Sequence, residues 1–301
     1  MFGGLTIRND CLFISRGSGR AEVQVVDCNN FSLRRTIPIG ADAAGRASSA
    51  GIAISPTFTI GVADPISRLV RMVSAFGKSL GSIGNITTGE KREDSLPVAP
   101  DRRGELAEPA ALCFDERGSV FVASAGGPRV HSVQKFTKTG RFLGSLRAFG
   151  VSGESFSSPR GIAIHREYLY IADTGSGLVQ VYKTCGAFYQ IFSTAVEHGE
   201  TSSPVSLAFG PRGDLYLLDR GDAGAVKRFS PSGEFINRVI SNKFIEAPIS
   251  IACSPAGTLF ILDQDGDRLR AFSQDGTLLA DLIHVMNGES VVQSGGGVVY
   301  R

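Results

Sequence analysis

The sequence predicts an all-β chain closed into a six-bladed β-propeller of four-stranded antiparallel blades, and three observations predict it. One pattern of four short β-branched or aromatic runs, separated by turn residues, recurs six times and accounts for nearly all of the 301 residues. The chain holds 37 Gly and 13 Pro with 42% hydrophobic residues, the composition of a compact, turn-rich unit with a large core. Two columns inside the repeat, one of small residues and one of turn glycines, keep their register from copy to copy.

The clearest copy opens at Pro159, PRGIAIHREYLYIADTGSGLVQVYKTCGAFYQIF, and predicts a blade over 159–193. Equivalent patterns predict blades over 204–240 from Pro204, 248–283 from Pro248, 109–148 from Pro109, 50–83 from Ala50 and 3–40 from Gly3. The stretch 84–105 is charged and rich in turn formers and reads as an enlarged loop between the second and third blades. The tail 284–301 has apolar runs that would add a strand and help to close the ring by pairing with the first blade.

The third residue of each first strand is small, namely Thr6, Ala53, Cys113, Ala163, Ala208 and Ala252, as crowding near a propeller axis requires. The hairpin between third and fourth strands carries Gly77, Gly140, Gly186, Gly233 and Gly276, with Asn30 in the first copy, which suits a position of positive φ. Asp64, Asp173, Asp219 and Asp263 end the second strand in four copies, while Arg16 and Ser124 stand there in the other two. A short carboxylate at that place caps backbone N–H groups of the following turn, and Arg68 and Arg268, four and five residues on, are candidate partners for it.

The motifs PRGIAI, LYIAD and LVQVY in the copy at Pro159 resemble the NHL repeat, and the resemblance extends over essentially the whole chain. The WD repeat is not supported, because the chain has no Trp. The resemblance implies a propeller whose loops at one end of the channel meet a protein or an RNA. It also says where chemistry would sit. In similar peptidyl-hydroxyglycine lyases, metal-binding histidines stand just before an innermost strand, and in gluconolactonase-like propellers Asn, Asp and Glu near the axis hold a divalent cation. The matching positions here are Gly3, Ala50, Ala110, Arg160, Val205 and Ile249, which offer no imidazole or carboxylate.

Other chemistry is equally thin. His131, His165, His198 and His284 fall at unrelated places in the repeat, so no shared metal site is expected of them. Asp263, Asp265 and Asp267 imitate the start of a calcium loop, but Gln274 stands where the twelfth-position Glu is required. Two Arg-Gly-Asp tripeptides, at 212–214 and 220–222, sit where turn chemistry accounts for them. No nucleophile-elbow, HExxH or P-loop pattern occurs.

The 31 Lys+Arg against 29 Asp+Glu leave a net charge of +2, too small for a global nucleic-acid or membrane footprint, and no run of apolar residues is long enough for a membrane helix. Five cysteines without a CxxC spacing point to a reducing compartment, hence a soluble, cytoplasmic protein; a first strand starting almost at Met1 also fits a domain cut from a longer chain. What remains is surface: Phe156, Arg129, Arg160, Arg220 and Arg268 fall in connections that lead to one end of the channel, where Arg and aromatic side chains suit a macromolecular partner. The expectation is a non-enzymatic platform without metal or cofactor whose partner is a protein. A metal-dependent hydrolase or lyase with a site in unfamiliar positions, an RNA-binding domain and a small ligand in the channel stay open as alternatives.

Overall fold

The structure, a computed structural model, describes residues 2–18, 20–40, 49–84, 104–126, 132–146, 156–221, 225–241, 245, 247–263, 268–282, 291–294 and 297–300. It is a ring of six blades. The first is β1 (Phe2–Arg8), β2 (Cys11–Ser18), β3 (Arg20–Asp27) and β4 (Leu33–Pro38). The second is β5 (Ile52–Ile54), β6 (Ile60–Asp64), β7 (Leu69–Val73) and β8 (Ser79–Ile83). The third is β9 (Pro109–Phe114), β10 (Val120–Ser124), β11 (Ser132–Phe136) and β12 (Phe142–Leu146). The fourth is β13 (Pro159–His165), β14 (Tyr168–Asp173), β15 (Leu178–Lys183) and β16 (Phe188–Ser193). The fifth is β17 (Pro204–Phe209), β18 (Leu215–Asp219), β19 (Ala225–Phe229) and β20 (Phe235–Ile240), and the sixth is β21 (Pro248–Cys253), β22 (Leu259–Asp263), β23 (Arg268–Phe272) and β24 (Leu278–Asp281). Each blade is an antiparallel meander in sequence order, its first strand innermost and its fourth outermost.

The second strands read as unbroken apolar runs because both of their faces are covered. VFVAS, LYLLD and LFILD are buried at every position. Fourth strands lie outermost in the first five blades and are the most exposed, at alternate positions in FYQIFS of β16 and over a run of residues in SLGSI of β8.

The core divides into six clusters, one between each pair of consecutive blades. Val23, Val25, Ile37, Ile60 and Val62 join blades one and two, and the series continues round the ring to Leu12, Ile14, Phe260, Leu262 and Leu269, which join blade six to blade one. Closure is therefore made by packing between β21 and β1. The tail does not pair with the first blade: β25 (Val291–Ser294) and β26 (Gly297–Tyr300) extend the sixth sheet at its outer edge, where Asp281 faces Gln293. The tail follows directly on β24, so its strands pair with the nearest open edge, that of the sixth blade.

The hairpin glycines take positive φ, from 81° at Gly77 to 100° at Gly186. The first blade differs from expectation. Its left-handed residue is Phe31 (φ 58°), while the Asn30 side chain accepts the Ser32 N–H at 3.0 Å. That turn is one residue longer, so the strained position moves by one.

No helix among the described residues is long and apolar enough to cross a membrane. Most of the enlarged loop, 85–103, lies outside the described residues.

Candidate functional site: the mouth of the axial channel

At the start of the innermost strands the register slips. Pro159 faces Asp173, but Gly161, two residues on, faces Ala172, so Arg160 is the extra residue of a bulge. The same slip falls between Phe2 and Gly4, Pro204 and Ser206, and Pro248 and Ser250. In blade three Pro109 faces Ser124 while Ala111 faces Ala123. In blade two Ala50 N–H donates to Ala63 O, and Ala63 N–H to Gly51 O, both at 2.9 Å. A bulge bends its strand and re-aims the extra side chain. Six bulges at one end of the ring thus place Gly3, Ala50, Ala110, Arg160, Val205 and Ile249 around the same mouth, with Val205, Ala50 and Ile249 packed against the clusters between blades and Arg160 exposed.

These are the positions singled out in the sequence, and Arg160 alone brings a charged group to them. It is exposed and, among the described residues, makes no ion pair. Below the mouth runs a channel of about 70 Å³, lined by residues of all six innermost strands. That holds a few water-sized groups, against several hundred Å³ for a pocket that encloses a drug-sized ligand.

The channel is narrow because a second small column, two residues before the one read from the sequence, lies where the inner strands come closest. It is Gly4, Gly51, Ala111, Gly161, Ser206 and Ser250. A Cβ on Gly51 would stand 2.6 Å from Ala111 Cα of the next blade, and one on Gly161 would stand 2.9 Å from Ser206 Cα. The column Thr6, Ala53, Cys113, Ala163, Ala208 and Ala252 lies off this closest approach; Cys113 and Ala252, for example, pack in the clusters between blades. Burial pushes the Cys113 thiol well up and that of Cys253 up to about 12, so both are packing groups.

The other residues expected at this end separate. Arg220 is exposed and its Nε donates to Pro248 O at 2.5 Å, which ties the fifth blade to the start of the sixth blade's inner strand. Arg268 is exposed at the start of β23. Arg129 lies outside the described residues. Phe156 is not a surface group: it is 2% exposed and its ring lies 6.3 Å from that of Tyr182, in the core between blades three and four. An aromatic ring next to a strand start was free to turn inward, and apolar burial took it there.

The aspartate column is a set of caps, as expected, but its basic partners stand elsewhere. Asp64 accepts Ser67 N–H at 3.0 Å and pairs with Arg71 at 2.8 Å; Arg68 is an exposed turn residue of φ 55°. Asp263 pairs with Arg270 and not with Arg268. Asp173 takes the N–H groups of Ser157 and Ser158, so it caps the connection before its blade as well. The cation arises on the third strand, diagonally across from the aspartate: Val62 faces Arg71, Leu217 faces Lys227 and Ile261 faces Arg270.

Blade five carries the most buried of these pairs. Lys227 is 1% exposed, and its Nζ lies 2.5 Å from Asp219, 2.7 Å from Glu200 and 2.7 Å from Thr194 O. Arg238 adds a second cation to Glu200 at 3.0 Å. Burial raises the Glu200 carboxyl, but the hydrogen bonds from Lys227, Val196 N–H and Arg238 outweigh it and hold the group down at about 2. The cluster fastens the connection 194–203 beneath Arg220. It is a staple, since every charge in it is taken up by another.

No group of three His, Cys, Asp or Glu side chains that would hold a metal occurs among the described residues. His165 is stacked on Phe209 with ring centroids 4.5 Å apart, in the hairpin region at the opposite end, and burial together with Arg166 lowers its pKa. His198 is exposed, and His131 and His284 lie outside the described residues, as do Asp265 and Asp267 of the calcium-like run and Asp222 of the second Arg-Gly-Asp. In the first of those tripeptides, Asp214 pairs with Arg228 and Gly213 closes a turn.

No family model matches the chain. No curated protein matches it either. Solved structures do. The chain is similar to one in a nidogen/laminin complex (TM-score 0.64, 14% identity, 90% of this chain and 92% of that one covered). It is also similar to a streptogramin B lyase (TM-score 0.57, 13% identity, 81% and 70% covered) and to a gluconolactonase from Xanthomonas campestris (TM-score 0.57, 15% identity, 86% and 78% covered). At such identities the likeness concerns the fold, and what these comparisons establish is a six-bladed β-propeller.

Proposed function

We propose that this propeller is a non-enzymatic binding platform that receives a protein partner on the channel-mouth end, with Arg160, Arg220 and Arg268 as contacts. One observation carries the reading. The six bulges ring the mouth with glycine, small or aliphatic residues, of which Val205, Ala50 and Ile249 pack into the core, and with one exposed guanidinium, above a channel of about 70 Å³. Such a set supplies no nucleophile, no general base and no anionic ligand for a cation. It does supply an exposed positive charge, without an ion pair among the described residues, on a ring of packed blades, which suits an acidic group on a partner. That one similar fold was solved in a nidogen/laminin complex supports the use of a propeller in protein binding.

The similar lyase and lactonase favour a second reading, a metal-dependent enzyme whose ligands stand outside the bulge column. An RNA partner would call for a continuous basic face, for which a net charge of +2 gives no support.

Photo-crosslinking residues placed at 160, 220 and 268, with Tyr189 on the outer rim as control, test the platform. The proposal expects one partner to be captured from the mouth positions and lost when Arg160→Glu and Arg220→Glu are combined. A partner captured as well from 189, and retained by the charge-reversed protein, contradicts it.

A further inference from the structure

The innermost strands leave one edge facing the axis. In an antiparallel pair, a residue outside the hydrogen-bonded ladder positions turns both its N–H and its C=O away from the neighbouring strand. Leu5 is such a residue, because its N–H donates to Ser250 Oγ of the sixth blade at 3.0 Å. Ile251 is another, its N–H donating to Ser206 Oγ of the fifth blade at 3.2 Å. Register places Ile52, Leu112, Ile162 and Leu207 in the same column, facing Val62, Val122, Ile171 and Leu217 as Leu5 faces Ile14.

For these four no hydroxyl is at hand among the described residues. The place that Ser250 and Ser206 hold in their blades is taken by Gly4, Gly51, Ala111 and Gly161 in the blades that precede them. The equivalence is geometric as well as sequential: a Cβ built on Gly4 would lie 3.1 Å from Ile52 N, where a seryl hydroxyl would start. Since the inner strands run inward from the mouth, each of these N–H groups lies on the mouth side of its own C=O. An object entering the mouth meets donors first, with Arg160 beside them.

We infer that the mouth of the channel is an anion site, in which Arg160 and the inward N–H groups of Ile52, Leu112, Ile162 and Leu207 hold one compact negatively charged group, a carboxylate or a phosphate. Converging backbone N–H groups form anion-binding concavities, and a guanidinium matches both oxyanions. The free volume of about 70 Å³ admits a group of that size. The inference is independent of the platform reading, for a free anion would occupy the site whether or not a macromolecule docks above it.

Amide-resolved NMR on the full chain tests it, with sodium acetate and sodium phosphate titrated separately at constant ionic strength. The expected result is a saturable shift of the Ile52, Leu112, Ile162 and Leu207 amides. Phosphate alone acting marks an inorganic ion as the source, whereas acetate acting as well admits any carboxylate. Arg160→Gln, at an exposed site, keeps the fold and weakens the anion at least tenfold. Ala111→Ser puts a hydroxyl on the Ile162 N–H, as Ser206 does for Ile251, and weakens the anion several-fold with Arg160 intact. Amides that do not shift with either anion, or that shift equally in wild type and both variants, overturn the inference.

Discussion

Ser250 Oγ accepts the Leu5 N–H at 3.0 Å across the seam where the sixth blade meets the first, joining residues 245 positions apart. No strand is shared at that seam, so closure depends on this bond and on the apolar cluster around Leu12 and Leu262. Ser250→Ala leaves a buried N–H unpaired at the one place where the chain's ends are held together. A loss of about 1–2 kcal/mol is expected, read as a lower urea midpoint with an unchanged far-UV spectrum. An unchanged midpoint would mean that the seam does not limit stability.

The diagonal pairing of second-strand aspartate with third-strand cation predicts a coupling. Arg71→Gln alone strands the fully buried Asp64 carboxylate and costs about 3 kcal/mol. Asp64→Ser with Arg71→Gln places at these two positions the uncharged residues that blade three carries there, Ser124 and Gln134, and, by removing the stranded charge, recovers at least about 1 kcal/mol of that loss. Additive costs in a denaturant double-mutant cycle would refute the pairing.

Glu200 gives a pH signature. Its folded value of about 2 lies below the ordinary 4.5, so its stabilisation is fully present above the unfolded value and is lost as pH falls from there through the folded one. The urea midpoint of the wild type should therefore fall more steeply between pH 4.5 and 2 than that of Glu200→Gln. Parallel curves would remove Glu200 from the ion cluster.

The cysteines sort by burial. Cys185 is exposed, Cys113 and Cys28 are buried, and burial pushes the Cys28 thiol up to about 12. A thiol reagent at neutral pH should modify Cys185 first in the native protein. Cys113 and Cys28 should react only at the rate of unfolding, as peptide mapping after a short pulse would show.

How much of this was legible in the sequence follows from which constraints leave a mark on residue type. The blades were legible because doubly covered strands such as LYLLD and LFILD must be apolar throughout. The empty bulge column was legible because it sits at a fixed offset from Pro159, Pro204 and Pro248. The tighter small column from Gly4 to Ser250 also left its mark, being small in all six copies, but crowding alone did not tell which of two small columns lay at the closest approach. Arg71, Lys227 and Arg270 were missed because the reading looked for partners along the chain, whereas the sheet brings them across it. Their signal was there, since each aspartate-bearing copy except the one with Gln180 has a cation at that column. The burial of Phe156 also left a mark that the reading passed over, for Leu106, Phe156 and Ile245 all stand three residues before the opening proline of their blades and all are buried between blades.

The measurement that bears most directly on the central claim is the metal content of the natively purified protein, by elemental mass spectrometry after exhaustive dialysis without chelator. A mouth presenting Gly3, Ala50, Ala110, Arg160, Val205 and Ile249 has nothing to hold a cation, and the platform reading predicts no stoichiometric metal. One zinc, calcium or iron per chain would contradict it and turn the search for chemistry to ligands elsewhere around the ring.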